Sequence, residues 1–489
     1  MALGQESFGL YGLIGSLVLF VGFIGGEFSA SLSRFYAYAI GKSCNDRQQG
    51  LEECRAWFSA GVLIHVVLPV VLVLVGYPIG AYAIRNGCLT IPAERVSDCI
   101  LLWRFVMIST YVGVLAIPFN AMFIAKQEIA ELTLYSLVQT CVKTMFIYYM
   151  TTVDRDWLVP FGGFLCLFAC LPSFVVVVRS MFAFKECRLR TAYLVQFSRI
   201  AQISKFALWR MANGLSRLAR HQYQEIIINR HFGPKVNASY TIGATLAAES
   251  AVLTAGLTGA FLPAITSACG AGDVKTMREM AFRASKFGVM LTLLLATPLL
   301  IESEEVLLLW LKDPPPYAQG IFCWIVASVI IEEFSIGHYA AINAVGNIGR
   351  FYLVRSLVGI IALIVPVALL LLRESPYMVA LGIVVTSCFI LAVDLYYGKG
   401  IAGLSFSRLF RRVLLPIVCS AALAASAGAI VVVLFNPSFA RIIATSVVVD
   451  LIQGALFWFM VLDGDERGYV LSRMRNLTTR LFRRRPDNG

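Results

Sequence analysis

The segment 205–229 carries charged side chains that are unusual for a stretch between long apolar runs. It contains Arg210, Arg217 and Arg220, and His221 follows directly. The segment has the length of a membrane-spanning helix, about 20 residues, although each arginine costs roughly 2.5–3.5 kcal/mol at mid-membrane. At about 100° per residue, one arc about 100° wide holds Arg210, Asn213, Arg217, Arg220, His221 and Gln224. This pattern predicts a spanning helix whose cationic face turns to water inside the protein and suits an anionic ligand.

Two other interpretations of this segment are open. The first is an amphipathic helix that lies on the membrane surface. The second makes the arginines structural partners of buried carboxylates. The distribution of basic residues argues against the surface helix, because the basic loops 179–205 and 263–286 both fit the cytoplasmic side. Two crossings must then separate these loops, and 205–229 is expected to be one of them.

The composition is that of a membrane protein with many spans. Of the 489 residues, 58% are hydrophobic and 14% are charged, and the mean hydropathy is +0.77. The net charge of +12 indicates cytoplasmic loops rather than a nucleic-acid partner. The 12 cysteines include no CxxC pair, which argues against a metal site and a disulfide scaffold. Cys88 and Cys99 share one predicted outer loop, where they either pair or stay as free thiols.

Apolar segments define the predicted fold, an all-α polytopic membrane protein with about 13 transmembrane helices. They are 9–32, 58–84, 100–124, 132–152, 157–179, 205–229, 238–262, 286–311, 318–342, 351–372, 376–397, 412–435 and 439–462. Basic loops alternate with loops poor in Lys and Arg, which predicts a cytoplasmic C-terminus. The predicted parts are an N-terminal lobe (1–179), an interfacial amphipathic helix (180–204), a C-terminal lobe (205–397), two additional spans (398–462) and a basic cytoplasmic tail (463–489).

An internal repeat relates the two halves of the chain. Gly41, Phe58 and Pro69 have counterparts with identical spacing further along, which are Gly270, Phe287 and Pro298. A chance match is the alternative. Under this repeat the segment 205–229 has no partner, so we expect the first helix of a 14-helix pattern to be missing from the N-terminus.

Several stretches resemble the polysaccharide flippases (PST, Wzx-type) of the MOP exporter superfamily. They are IIINRHFGPKVNASYTIG (226–243), PAITSACGAGDVKTM (263–277), SKFGVMLTLLLATPLLIESEEVLLLWL (285–311), YAAINAVGNIGRFY (339–352), SRFYAYAIGK (33–42) and IPFNAMFIAKQE (117–128). The resemblance implies a MATE/MOP-like bundle of two six-helix lobes with a cavity between them. Within that bundle, 205–229 is expected to be the seventh helix and to line the cavity.

The resemblance also implies a function. Members of this family move polyprenyl-pyrophosphate-linked oligosaccharides from the cytoplasmic to the outer leaflet for surface polysaccharide biosynthesis. The expected partners are this lipid-linked substrate, membrane lipids, and a glycan polymerase with chain-length machinery. A monomer in the cytoplasmic membrane is expected, with no cofactor and no nucleic acid.

The candidate substrate site extends beyond the cationic face. The residues expected to bind the pyrophosphate or the glycan are Arg210, Asn213, Arg217, Arg220, His221 and Gln224, followed by Lys143 and Arg104. The alternative for Arg104 is a side chain that reaches the lipid headgroups from the end of its span.

Acidic residues inside predicted spans are candidates for ion coupling. They are Glu249, Glu332, Glu333 and Glu225. Pairing with a neighbouring arginine is the alternative for the first three, and Glu225 has the i, i+4 spacing to orient His221. Asp394 lies near a predicted cytoplasmic end, where we expect it to be solvated.

Two other classes of function compete with the flippase. A MATE-type cation-coupled small-molecule exporter shares the superfamily, but a cation exporter would favour an acidic cavity. A membrane enzyme, such as a glycan polymerase or glycosyltransferase, needs a sizeable domain or loop outside the membrane. The chain has only short loops, with no acid pair or Gly-rich phosphate loop, so an enzyme is not expected.

Overall fold

The computed structural model describes residues 5–16, 19–86, 89, 91–153, 156–468 and 471, and its regular elements are helices throughout. The α-helices in chain order are α1 (Gln5–Ser16), α2 (Leu19–Lys42), α3 (Arg47–Arg85), α4 (Val96–Ala125), α5 (Ile129–Thr152), α6 (Leu158–Ala183), α7 (Thr191–Leu194), α8 (Phe197–Gly270), α9 (Val274–Ile301), α10 (Ser303–Leu311), α11 (Ala318–Glu333), α12 (Ile336–Val345), α13 (Gly349–Ile361), α14 (Ile364–Leu372), α15 (Pro376–Tyr397), α16 (Phe406–Leu409), α17 (Leu415–Leu434) and α18 (Phe439–Leu456). Short 3-10 turns cover Ala93–Arg95 and Lys185–Cys187, and π-helical turns cover Gly398–Ala402, Phe410–Leu414 and Phe457–Val461.

Eight helical segments of the described chain are long and apolar enough to cross a membrane. They are Arg47–Arg85, Ala93–Ala125, Leu158–Ala183, Val274–Ile301, Gly349–Leu372, Pro376–Ala402, Phe406–Leu434 and Phe439–Val461. Helices α11 and α12, bent by 43° at their junction, make a ninth if they form one span. The predicted spans 9–32, 132–152, 205–229 and 238–262 are helical where the structure describes them but do not meet this test, so their crossing stays a prediction.

Large apolar side chains are exposed along several of these helices. Examples are Leu74 on α3, Leu371 on α14 and Val433 on α17, which are between 70% and 85% exposed. Soluble proteins rarely expose so much contiguous apolar surface, whereas a bilayer covers it with acyl chains. The structure therefore fits a multi-pass membrane protein.

The long helix α8 is broken at Gly233. This residue has φ 79° and ψ 178°, a conformation that essentially only glycine adopts. Pro234 follows and has no N–H to donate to the preceding turn. The sequence predicts that the charged helix ends here, and the structure confirms it.

The linker 180–204 differs from the predicted amphipathic helix. Helix α6 continues to Ala183, a 3-10 turn covers Lys185–Cys187, and α7 is a single turn before α8 begins. Arg55 donates a hydrogen bond to the backbone carbonyl of Lys185, at 3.0 Å. An ion pair of 2.6 Å joins Lys126 to Glu186. These ties to α3 and to the end of α4 hold the linker in a bent path, which a continuous helix could not follow.

The chain forms two compact units, each with its own core. Unit 1 comprises Met1–Leu215, Ala260–Met277 and Ala340–Leu353, and unit 2 comprises Ser216–Gly259, Arg278–Tyr339 and Val354–Gly489. The predicted lobe boundaries stay a prediction.

In unit 1, helix α4 packs against α2, α3 and α6. The end of α8 crosses α2 at two glycines that lack any room for a Cβ atom. A Cβ on Gly41 would overlap the carbonyl oxygen of Ser267, and one on Gly270 would overlap the carbonyl of Tyr38. Ser267 lies three positions before Gly270, and Tyr38 lies three positions before Gly41. The two glycines, which the internal repeat relates, therefore make equivalent contacts with each other's helix.

In unit 2, helix α11 packs against α15, and α17 packs against α18. A core of apolar side chains surrounds Tyr240, Ile321 and Phe322. A buried ion pair joins α9 to the end of the described chain, where Nζ of Lys286 lies 2.6 Å from Oε2 of Glu466. Glu466 also accepts a hydrogen bond from the backbone N–H of Asp463, at 3.1 Å. The last helical turn is therefore capped and tied to α9 by the same carboxylate.

Candidate functional site

Unit 2 contains a cavity of about 110 Å³ lined by most of the predicted cationic face. Its polar lining residues are Arg217, Arg220, His221, Gln224, Tyr240, Ser328, Glu332, Thr386 and Ser387. Helix α8 contributes the first four, because spacings of three, four and seven residues place them on one helical face. Tyr240 follows the break at Gly233, and α11 and α15 supply the hydroxyl groups and the carboxylate.

Arg220 is the most constrained cation of the cavity. Its side chain is only 9% exposed. Its guanidinium lies against Gly359 on α13, where a Cβ atom would lie 2.7 Å from Nη1. Within the part of the chain that the structure describes, neither Arg220 nor Arg217 has a hydrogen-bond acceptor or an ion-pair partner. Burial of an arginine without a hydrogen-bonded counter-ion is costly, and Glu332, an acid of the same cavity, interacts with Arg220 through space without a direct ion pair.

A polar cluster surrounds His221 and Gln224. The hydroxyl of Tyr240 donates a hydrogen bond of 2.9 Å to Oε1 of Gln224 and lies 3.4 Å from Nδ1 of His221. Among the described residues, Tyr240 is therefore the hydrogen-bond neighbour of this imidazole, and Glu225 acts on it through its charge. Tyr240 lies 19 positions from His221 beyond the helix break, so no local pattern in the sequence indicates it.

Glu332 is the carboxylate that lines the cavity. Its Oε1 accepts a hydrogen bond of 2.9 Å from the hydroxyl of Ser387. The neighbouring Glu333 buries its Oε2 without a hydrogen-bond partner in the described residues. The side chain of Glu249 lies outside the described residues. Ion coupling through these carboxylates stays a prediction.

Asp394 is buried and paired, which contradicts the prediction that it is solvated. It is 0% exposed, and Nε of Arg355 donates to its Oδ1 at 2.8 Å. Ser335 donates to Oδ2 at 2.9 Å. The position near a helix end suggested solvent, but Arg355 on α13 and Ser335, between α11 and α12, contact the carboxylate. Among the described residues, Asp394 forms its direct ion pair with Arg355 and none with the cavity arginines.

Arg210 and Asn213 belong to unit 1 and do not line this cavity. Nε of Arg210 lies 2.7 Å from Oε2 of Glu27, and its Nη1 lies 3.3 Å from Oδ1 of Asn343. Arg210 is thus a structural partner of a carboxylate, the second interpretation that the sequence allows. Asn213 is half-buried.

The two further basic candidates also lie outside the cavity. Lys143 is half-buried on α5, a helix whose surface is largely exposed. Arg104 is exposed on α4 and donates a hydrogen bond of 3.3 Å to the hydroxyl of Tyr77. Both residues belong to unit 1.

Comparison with known proteins identifies the fold. No protein-family model and no curated protein matches the chain. An outward-facing multidrug resistance MATE family transporter of the MOP superfamily is similar, with a TM-score of 0.65 and 16% identity over 82% of this chain and 89% of that one. A MATE protein in complex with MaD3S gives a TM-score of 0.67 and 15% identity over 82% and 89%.

A third similar structure is a MOP superfamily transporter from Pyrococcus furiosus, in which reverse polarity of the binding pocket suggests a different function. Its TM-score is 0.63, with 14% identity over 84% of this chain and 94% of that one. At such low identity the similarity establishes the fold alone. The chain has the helical fold of MATE transporters of the MOP superfamily, which confirms the predicted fold class.

Proposed function

We propose that the chain is a membrane transporter that flips a polyprenyl-pyrophosphate-linked oligosaccharide across the cytoplasmic membrane by alternating access of a cationic cavity. A transporter is supported by the fold, because the similar solved structures are transporters. The observation that carries the proposal is Arg220, a buried guanidinium with no acceptor in the described residues. The chain would act as a monomer, with a glycan polymerase and chain-length machinery as partners.

The chemistry of the cavity suits a diphosphate. Two guanidinium groups, those of Arg217 and Arg220, can each bind phosphate oxygens through paired N–H donors. Gln224 and Tyr240 add neutral polar groups for a sugar hydroxyl. The cavity of about 110 Å³ is smaller than the roughly 300–1,000 Å³ of sites for drug-sized ligands. It therefore fits the charged group of a larger substrate whose lipid chain stays in the bilayer.

A second candidate is a MATE-type cation-coupled small-molecule exporter. It is favoured by the similarity to MATE transporters and by Glu332, an acid in the same cavity. For the Pyrococcus furiosus transporter, reverse pocket polarity suggests a different function, so the sign of the charge is the property to test. The two arginines favour an anion here.

The first experiment measures binding of three probes to the purified chain. They are farnesyl pyrophosphate, farnesol and the tetraphenylphosphonium cation. We expect binding of the pyrophosphate alone, weakened at least about 100-fold by Arg217→Ala with Arg220→Ala, because each charged hydrogen bond contributes about 1.5–3 kcal/mol. The matched control is Arg230→Ala with Lys235→Ala, which removes two exposed charges from the same helix. Wild-type affinity in the cavity variant, or binding of the cation alone, would refute the proposal.

A substitution at Gly359 tests whether the position of the Arg220 guanidinium matters for binding, because it leaves the charge of Arg220 in place. In Gly359→Ala the new methyl group takes the space of Nη1 of Arg220 and displaces the guanidinium. We expect farnesyl pyrophosphate to bind roughly tenfold more weakly, the loss that corresponds to one poorly placed charged hydrogen bond. Gly256→Ala, on α8 where a methyl group meets open space, is the control. Restoration of glycan in a flippase-deficient host by wild type but not by the arginine variant then tests transport.

A further inference from the structure

Unit 1 contains a second cavity, of about 290 Å³. Three segments build it: the middle of α2, the beginning of α8, and the turn between α12 and α13. Its lining residues are Arg34, Phe35, Gln202, Lys205, Phe206, Trp209, Gly346, Asn347, Ile348 and Gly349. This lining includes two cations and no acidic residue.

Arg34 is fixed in place as one wall of this cavity. It donates hydrogen bonds to the carbonyl oxygens of Asn343, Ala344 and Val345, at 3.2, 2.9 and 3.2 Å. Its guanidinium lies against Gly346, which has φ 89° and no room for a Cβ atom. The carbonyls that Arg34 caps carry partial rather than full negative charge. The arginine therefore keeps its positive charge next to the cavity.

Lys205 and Trp209 form the opposite wall, one helical turn apart on α8. Lys205 is exposed and has no ion-pair partner within the described ranges. The indole of Trp209 lies against Gly349, 3.4 Å from the position of a Cβ atom there. Gln202 and Asn347 add exposed amide groups at the rim. The cavity therefore combines cations and N–H donors with an aromatic surface.

The three segments lie in or at the ends of stretches with several Lys and Arg residues, 33–57, 179–205 and 343–355, and the rule that basic loops face the cytoplasm predicts the cytoplasmic side for all three. Tryptophan and lysine are typical of the headgroup layer, where anionic lipids attract basic side chains. A volume of about 290 Å³ has room for a phosphate with its glycerol or sugar. We propose that this cavity binds the phosphoryl headgroup of an anionic lipid. The proposal does not depend on what the chain transports.

The test compares lipid binding by purified full-length variants in neutral detergent, using native mass spectrometry of bound lipid. The probes are phosphatidylglycerol, phosphatidylcholine, and inorganic pyrophosphate as a competitor. We expect wild type to prefer phosphatidylglycerol and Lys205→Gln to bind it about fivefold more weakly, the effect of one basic residue at an anionic surface. Arg350→Gln, an exposed charge outside the lining, is the matched control and should leave binding unchanged.

A second variant keeps the test decisive if Lys205→Gln lowers the melting temperature. Gln202→Glu places a carboxylate on the exposed rim and should repel phosphatidylglycerol while leaving binding of phosphatidylcholine unchanged. Displacement by pyrophosphate would mean that the cavity accepts a free phosphate group, and retention would mean that it needs the whole lipid. Equal binding of the two lipids by wild type, or equal losses in Lys205→Gln and Arg350→Gln, would overturn the proposal.

Discussion

Replacement of Arg220 by methionine separates the stability of the protein from its ability to bind an anion. The side chain is 9% exposed, and its charge has no ion-pair partner in the described chain. Methionine has a similar length and flexibility and fills irregular space well. The substitution therefore removes a buried charge while it keeps most of the packing.

The expected magnitude follows from the cost of that charge. Replacement of buried ionic groups by apolar ones of similar volume often stabilises a protein by about 1–4 kcal/mol. An unfolding entropy of about 2.1 cal/mol/K per residue gives roughly 1 kcal/mol per degree for a chain of 489 residues. Arg220→Met should thus raise the melting temperature by about 1–4 °C. Arg210→Met should lower it by about 3–5 °C, because it leaves the half-buried Glu27 without its ion-pair partner.

The assay is thermal unfolding in detergent with and without farnesyl pyrophosphate. A ligand at 100 times its dissociation constant adds about 2.7 kcal/mol of stability, so wild type should melt about 2–3 °C higher with it. Arg220→Met should lose this rise although it is more stable without ligand. A lower melting temperature for Arg220→Met, or an unchanged rise with ligand, would refute the idea that Arg220 is kept for binding.

Two further predictions concern unit 1. Gly41→Ala should destabilise the chain by about 1–3 kcal/mol, because its methyl group would force α2 and α8 apart. The control is Gly26→Ala on the same helix, where the methyl group meets open space and should stabilise the chain by up to about 1 kcal/mol. Shifts of the melting temperature with the same sign in both variants would contradict the contact. Burial, with the nearby Glu186, raises the pKa of the Cys187 thiol to about 12. Maleimide reacts with thiolates. Peptide mapping of labelled protein should therefore find that the exposed Cys44 reacts quickly and that Cys187 hardly reacts, even at pH 9. Equal labelling rates for the two cysteines would show that the linker opens.

Helical periodicity predicts one cationic face but cannot tell its structural arginines from the others. Arg210 shares the arc with Arg217 and Arg220, yet its carboxylate partner Glu27 lies 183 positions away in sequence. A long-range ion pair leaves no trace in local spacing, so the face alone could not distinguish a structural arginine from one that lacks an acceptor. The same limit hid Arg355 as the partner of Asp394, 39 positions further on.

The helices of the fold were easier to predict from the sequence than the segments that connect them. Long apolar runs locate most helices, because a bilayer demands about 20 apolar residues per span. The break at Gly233 was also predictable, since glycine followed by proline ends a helix. The bent path of the linker was not, because it depends on contacts that Lys126 and Arg55 make from distant helices.

The ion pair between Lys286 and Glu466 has a consequence for the order in which the protein is made. The two residues are 180 positions apart, so at about 5–20 residues per second the ribosome needs roughly 10–40 s to supply the carboxylate after the lysine. During that interval the nascent chain already contains α9 with an ammonium that is 6% exposed in the finished protein. The contact of α9 with this carboxylate therefore forms late in synthesis, and a chain that stops before Val461 lacks the three groups that Lys286 contacts, which are Glu466, Asp463 and the carbonyl of Val461.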